Sequence, residues 1–299
     1  MTADKKNLNI QYTQAQHKAK PDWLKVRLPT GERYQAIKTI VDKNNLHTVC
    51  ESAACPNRGE CWNLGTATFM ILGNICTRSC GFCNVQTGRP NELDLGEPIR
   101  VAQAVEKMNL KYVVITSVNR DELKDGGASI WAETIREIKK ANKSIKVEIL
   151  IPDFAGNWDS LYTVLEAGPN VVNHNIETVP RLYKHVRPQA TFERSLELLA
   201  LAKRKGFTTK SGVMLGLGET EKEVISVMEK WHEVQCDIIT IGQYMQPTKN
   251  HLEVTTYVDP EVFNKLAAIG IQMGFKKVFS GPLVRSSYHA HEQSAVMLQ

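Results

Sequence analysis

The chain of 299 residues has no apolar run approaching the roughly 18 residues that a membrane span needs, and its first twenty residues lack the apolar centre of a secretory signal. A soluble, cytoplasmic protein without a membrane partner is expected. Charge of one sign is scarce too: 37 basic and 32 acidic residues leave a net +5. So small an excess does not indicate nucleic acid and favours acidic partners only mildly. The basic runs Lys5-Lys6, Lys139-Lys140 and Lys203-Arg204-Lys205 read as solvated helix ends. Repeats and low-complexity stretches are absent, while an apolar share of 42% suffices for a sizeable core. Cysteine is almost missing after Cys83, with only Cys236 beyond it, yet six of the seven lie between Cys50 and Cys83. An exported disulfide scaffold would spread its cysteines, so reduced thiolates holding metal are expected.

From residue 66 onward, β-rich runs alternate with helical periods. The strands expected are Thr66–Leu72, Tyr112–Val118, Lys146–Ile151, Val171–Ile176, Thr208–Leu215 and Asp237–Gln243. Helices are expected near Pro98–Asn109, Ser129–Ala141, Trp158–Ala167, Thr191–Lys205 and Glu219–Val234. In the last of these, Val224, Val227, Met228 and Trp231 repeat every 3.6 residues. Such alternation predicts parallel strands with crossover helices. The fold class expected is α/β, a partial (β/α)6 TIM-like barrel with N-terminal and C-terminal extensions. Its divisions are 1–62, 63–280 and 281–299. A short helix near Tyr34–Asp42 precedes the barrel, and a helix near Pro260–Met273 with a strand near Lys276–Phe279 follows it. In barrels the chemistry gathers at the C-terminal strand ends, and here the polar and glycine-rich loops follow the strands.

The cysteines form two groups, Cys50-x4-Cys55-x5-Cys61 and Cys76-x3-Cys80-x2-Cys83. Soft thiolates select zinc or iron–sulfur clusters. A structural zinc site takes four closed ligands, often as paired C-x2-C units, and neither group has that form. His47 could complete the first group, and no histidine lies close to the second. Three thiolates on a four-iron cluster would leave one iron open, as a catalytic metal site requires. A zinc-stabilised binding module and a plain electron carrier remain the rivals. The carrier would normally use four thiolates per cluster and has no need of a barrel.

Cys76-Thr-Arg-Ser-Cys80-Gly-Phe-Cys83 resembles the signature of the radical S-adenosylmethionine superfamily. The resemblance implies that these three cysteines hold a [4Fe–4S] cluster whose open iron binds S-adenosylmethionine and cleaves it to a 5′-deoxyadenosyl radical. It also implies that Phe82 lies near the adenine and that Gly126 and Gly127 of Asp125-Gly-Gly hold the methionine amino group. Asn175 and Glu177 would contact the ribose, and the segment Gly212–Glu219 would lie beside the adenine. Taken alone, Asp125-Gly-Gly reads as an ordinary turn.

Cys50-Glu-Ser-Ala-Ala-Cys55-Pro-Asn-Arg-Gly-Glu-Cys61-Trp and Arg285-Ser-Ser-Tyr288 resemble motifs of the lipoyl synthase family, and the likeness runs from about residue 22 to about residue 291. It implies a second, auxiliary [4Fe–4S] cluster on Cys50, Cys55 and Cys61, with a serine as fourth ligand. Ser287 is preferred to Ser286. The reaction implied inserts two sulfur atoms at C6 and C8 of an octanoyl chain on a carrier-protein lysine. It uses two S-adenosylmethionine molecules and sulfur from the auxiliary cluster. The implied partners are octanoylated carrier domains (2-oxoacid dehydrogenase E2 subunits and the glycine cleavage H protein), an electron donor such as flavodoxin or ferredoxin, and an iron–sulfur carrier for reloading. A methylthiotransferase would be expected to add an RNA-binding domain, and a biotin synthase relative should lack the upstream triad. Cys236 and His174 read as buried core residues, Arg187-Pro188 could meet a carboxylate, and His289 and His291 receive no role.

Overall fold

The computed structural model describes residues 20–26, 31–64, 66–288, 290 and 292. Lys5-Lys6, His289 and His291 lie outside the described residues. The strands are β1 (His47–Thr48), β2 (Thr68–Ile71), β3 (Ile75–Cys76), β4 (Gln86–Thr87), β5 (Tyr112–Ser117), β6 (Lys146–Leu150), β7 (Val171–Asn173), β8 (Thr208–Leu215), β9 (Ile238–Gln243) and β10 (Lys277–Ser280). They form an eight-stranded sheet in the order β1-β2-β5-β6-β7-β8-β9-β10, beside a two-stranded ribbon of β3 and β4. Every neighbouring pair from β2 to β10 is parallel, while β1 lies antiparallel on β2. The sheet does not close on itself, so this is the partial barrel that the strand–helix alternation predicts. The six expected strands are all present, and β10 adds a seventh parallel one against β9.

Parallel strands need long crossovers, and here they are amphipathic helices laid on the outside of the sheet. Glu97–Lys107, Ala128–Ala141, Trp158–Glu166, Phe192–Arg204, Glu221–Glu233 and Pro260–Met273 follow the strands in turn. Their inner stripes bury whole side chains, for example Val224, Val227, Met228 and Trp231. Helix starts follow local chemistry. Thr220 and Glu223 form a reciprocal capping box, so that helix begins at Glu221 rather than at the expected Glu219. Glu219 instead turns back, and its carboxylate accepts the N–H groups of Gly216 and Leu217 at 2.5 and 2.9 Å. Strand ends are also cut short. Leu72 takes a left-handed φ of 70° and gives its N–H to Glu97 Oε2 at 2.6 Å, which stops β2 before the expected end.

The N-terminal cysteine segment is short helices joined by tight turns. Val49–Ser52 carries Cys50 and Arg58–Asn63 carries Cys61, with Cys55 between them after Ala54 at φ 48°. β1 docks this segment on the free edge of β2. Tyr34 and Trp62, with ring centroids 5.0 Å apart, anchor it to the helix Glu32–Lys43. The Arg58 guanidinium lies over both rings, at 5.9 and 5.8 Å.

Candidate active site

A cavity of about 480 Å³ opens at the C-terminal ends of the parallel strands. Cys76, Cys80 and Cys83 line it, and so do Cys50 and Cys55. Cys61 lies in a smaller adjoining pocket that it shares with Cys50, Cys55, Arg285, Ser287 and Tyr288. Ser287 and Arg285 line both spaces, while Ser286 lines only the larger. The two adjacent serines are therefore not equivalent. The Ser286 hydroxyl is taken by Asn175, whose Nδ2 donates to it at 2.6 Å. His47, which could have completed the first group, sits on β1 and lines neither space.

The second cysteine loop is held from several directions. Cys76 Sγ accepts the backbone N–H groups of Asn119 at 3.3 Å and of Arg78 at 3.4 Å, and the Asn119 side chain lies at 3.7 Å. Gly81 donates to the Val186 carbonyl at 3.0 Å and accepts from Leu252 N–H at 3.0 Å. A Cβ on Gly81 would stand 2.8 Å from Leu252 Cγ, so glycine is needed for close approach. Within the loop, Arg78 is buried and braced by two acids. It binds Asp121 through Nε (2.7 Å) and Nη2 (2.8 Å), and Asp153 through Nη1 (2.7 Å). Backbone placement and charge balance are thus built into the loop before any metal is considered.

The donor set fits iron–sulfur clusters. All seven cysteines are free thiols. Burial pushes Cys50 up to about 11 and Cys83 up to about 12, and it raises Cys55 and Cys80 as well. Without a metal these groups would keep their protons, so loading must release protons and is favoured by higher pH. Polar atoms on the cavity wall point the same way. Ser117 Oγ, Asn119 Oδ1, Asn175 Oδ1 and Arg187 Nε are buried with no hydrogen-bond partner, and all four residues line the cavity. Orphaned polar atoms on the wall of a cavity suit a polar ligand.

The other expected site residues divide. Phe82 lines the cavity and packs against the buried cluster of Val186, Leu217 and Tyr244, an apolar ledge suited to a flat ring. Asn175 and Glu177 also line it, just past β7. Glu177 has φ 69°, bridges to Val213 of β8, and is raised by burial against the opposing charge of Arg187. Arg187 reaches the cavity with Nη1 fixed by the Asn175 carbonyl at 2.8 Å and by Tyr183 Oη at 3.1 Å. Gly126 and Gly127 are not brought to the cavity. Their φ values of 58° and 88° make the turn into the helix Ala128–Ala141, where a Cβ would meet Phe154 Cδ1 at 3.1 Å or Leu72 Cδ1 at 2.5 Å. Asp125 holds that turn by accepting Gly127 and Ser129 N–H groups, each at 2.9 Å. The wall after β5 is made instead by Thr116 to Asn119. His174 is buried, bonded to the Ile151 carbonyl and Ser195, and Cys236 is a buried thiol near the Ile238 carbonyl. Sequence reasoning passed over Asp121 and Asp153 as partners of Arg78, and Arg285 as a wall shared by both pockets. An arginine inside a cysteine loop was a signal, but its partners lie on other loops.

Residues 70–230 match the family described as Radical SAM superfamily, and residues 1–55 match the N-terminal domain of lipoyl synthase of that family. A lipoyl synthase of Rubrobacter xylanophilus is 59% identical over 277 residues, covering 92% of this chain and 86% of the relative. One from Flavobacterium johnsoniae is 56% identical, covering 92% and 96%, and the mitochondrial one of Nematostella vectensis is 56% identical, covering 91% and 94%. Among solved structures, methylornithine synthase (PylB) aligns with TM-score 0.54 at 13% identity, over 86% of this chain and 84% of that one. Streptococcus suis SuiB bound to S-adenosylmethionine aligns with TM-score 0.58 at 10% identity, over 75% and 53%. These two likenesses concern the fold alone.

Proposed function

The chain belongs to the lipoyl synthase family, within the radical S-adenosylmethionine superfamily, and from that premise we propose that it inserts two sulfur atoms at C6 and C8 of an octanoyl chain carried on a protein lysine. The observation that carries the reading is the meeting of both cysteine groups, from separate parts of the sequence, on one cavity at the strand ends. When bound, S-adenosylmethionine and a reduced [4Fe–4S] cluster supply the hydrogen-abstracting power that no side-chain base has toward an unactivated C–H bond.

The chain's own residues hold, orient and enclose. Cys76, Cys80 and Cys83 would hold the radical-generating cluster, with the N–H groups of Arg78 and Asn119 directed at the Cys76 sulfur. Asn119, Asn175, Glu177 and Arg187 offer unpaired polar atoms or charge to the polar ends of S-adenosylmethionine, and Phe82 offers a ring face. Cys50, Cys55, Cys61 and Ser287 would hold a second cluster that serves as the sulfur source. Two clusters in all follow from two separate thiol groups. A serine oxygen is a hard ligand among soft ones and is easier to displace than a fourth thiolate, which suits a cluster that must come apart. Val49, Ala53 and Val118 supply apolar wall to the same cavity, which suits an acyl chain held out of water.

The substrate is an octanoylated lipoyl carrier domain. The finer partners we propose are 2-oxoacid dehydrogenase E2 subunits and the glycine cleavage H protein, a flavodoxin or ferredoxin as electron donor, and an iron–sulfur carrier. Among the described residues no helix is long and apolar enough to cross a membrane, and a cytoplasmic location is part of the same reading. The divisions 1–62, 63–280 and 281–299 assign the sulfur-donating thiols, the radical chemistry and the serine ligand to successive parts of the chain.

The test is anaerobic reconstitution with S-adenosylmethionine, a strong reductant and a peptide bearing octanoyl-lysine, followed by mass spectrometry. Gain of two sulfurs together with 5′-deoxyadenosine is the expected result. 5′-Deoxyadenosine without a sulfur-bearing peptide would reject the substrate, and no cleavage at full iron content would reject the reading altogether.

A further inference from the structure

The C-terminal strap that carries Ser287 is tied down on both sides. It leaves β10 through Gly281 and crosses the barrel, where Gly281 donates to the Ile241 carbonyl at 3.0 Å and Gln243 N–H reaches the Pro282 carbonyl at 3.3 Å. β9 makes room for it with Gly242, at which a Cβ would stand 2.1 Å from the Val284 carbonyl oxygen. On the other side, the grip comes from the cysteine segment itself. Asn57 Nδ2 donates to the Leu283 carbonyl at 2.7 Å, and Tyr288 Oη donates to the Glu60 carboxylate, 3.1 Å from each oxygen. Asn57 and Glu60 lie between Cys55 and Cys61. One turn of chain therefore presents two thiols and two grips, and the grips seize the strap on either side of Ser287.

We propose that Asn57 and Glu60, through Leu283 and Tyr288, are positioning residues that clamp the strap and hold the Ser287 oxygen against the Cys50–Cys55–Cys61 triad. This rests on the reading of Ser287 as a ligand. The reason for a clamp is chemical. A displaceable oxygen ligand cannot anchor its own segment, because its bond to iron is lost whenever the cluster gives up sulfur. Contacts that do not involve the metal must keep the hydroxyl in place for the next loading. The neighbouring Ser286, engaged by Asn175, ties the same strap to β7's outgoing loop and fixes which of the two hydroxyls is presented.

The experiment uses the holoenzyme loaded with 57Fe, without S-adenosylmethionine. It reads the rate of iron loss to a chelator and the Mössbauer fraction of oxygen-ligated iron. Ser287→Ala sets the full effect of losing the ligand. Tyr288→Phe keeps the ring and its packing while removing the donor, and Glu60→Ala removes the acceptor. Each is expected to speed iron loss from one cluster about tenfold, the effect of one hydrogen bond to a charged group. Each should also shrink the oxygen-ligated fraction. Glu60→Gln, which retains an acceptor, should restore part of the wild-type rate, and neither change should add to Ser287→Ala. Wild-type rates in Tyr288→Phe and Glu60→Ala beside fast loss in Ser287→Ala would overturn the clamp and leave the ligand standing. A wild-type rate in Ser287→Ala would overturn the ligand reading and the clamp with it.

Discussion

Asp153→Asn tests how the radical-type cysteine loop is braced. Asp153 is fully buried and makes ion pairs with Arg78 at 2.7 Å and Arg194 at 3.0 Å, while its Oδ1 also accepts the Ala155 N–H. Asparagine keeps the shape and loses the charge. Arg78, 5% exposed, is left with Asp121 alone, and part of the amide faces it with a second donor. Removing one partner of a buried pair costs about 3–5 kcal/mol, and the surviving Asp121 contact puts this case near the lower figure. With an unfolding entropy of roughly 2.1 cal/mol/K per residue over 299 residues, that lowers the melting midpoint by about 5 °C. Burial alone would raise the Asp153 pKa, but the charges of Arg78 and Arg194 outweigh it and hold the carboxyl below its ordinary range. A depressed acid contributes stability above its unfolded pKa and loses it as pH falls through the folded value. Wild type and variant should therefore differ fully at neutral pH, and the gap should begin to close only below about pH 4, the unfolded value, as pH falls through the depressed folded value. Thermal unfolding of the reconstituted protein at several pH values measures both effects. An unchanged midpoint at neutral pH, or a gap that fails to narrow in acid, would refute this account of the brace.

Burial pushes His174 down to about 4, with neighbouring Arg187 acting the same way, so it is neutral when folded and charges at about 6.5 when unfolded. Stability from this group is complete above 6.5 and should fall by roughly 3 kcal/mol as pH drops toward 4, a slope that His174→Gln should flatten in denaturant titrations. At the base of the barrel, Glu148 and Lys210 are buried without exposure and bonded at 2.9 Å, with Tyr112 at 2.6 Å and Asn173 at 2.9 Å also on Glu148. Glu148→Gln strands the ammonium and should cost about 3–5 kcal/mol in urea unfolding, while Glu148→Leu with Lys210→Met should cost less than either single change. Gly242→Ala drives a Cβ into the Val284 carbonyl and must lift the strap. Iron analysis should show the auxiliary cluster lost and the Cys76–Cys80–Cys83 cluster kept.

Much of the fold was legible because its causes are local. The capping of the helix Glu221–Glu233, its buried Val224, Val227, Met228 and Trp231, and the proline opening Pro260–Met273 act within a few residues, so periodicity and composition reveal them. Strand ends were less legible. The turn of Leu72 depends on Glu97, and the exit of the chain after Asn173 depends on pairing between Glu177 and Val213, both contacts across the fold. At the site, the spacing of the thiols suggested two metal groups, and the fold then placed five of the six on one cavity.

By itself the sequence determined the α/β alternation, the two thiol triads and the chemistry open to them, since these rest on residue type and spacing. Tertiary structure alone decided which groups meet. Ser286 and Ser287 are chemically identical neighbours, separated only because Asn175 from another loop engages the first and the cysteine pocket receives the second. Gly126 and Gly127 read alone as an ordinary turn, and packing accounts for both glycines, because Phe154 and Leu72 stand where a Cβ would go. The physical reason is range: propensity and capping act over a few residues, while a site is made by segments that only packing brings together.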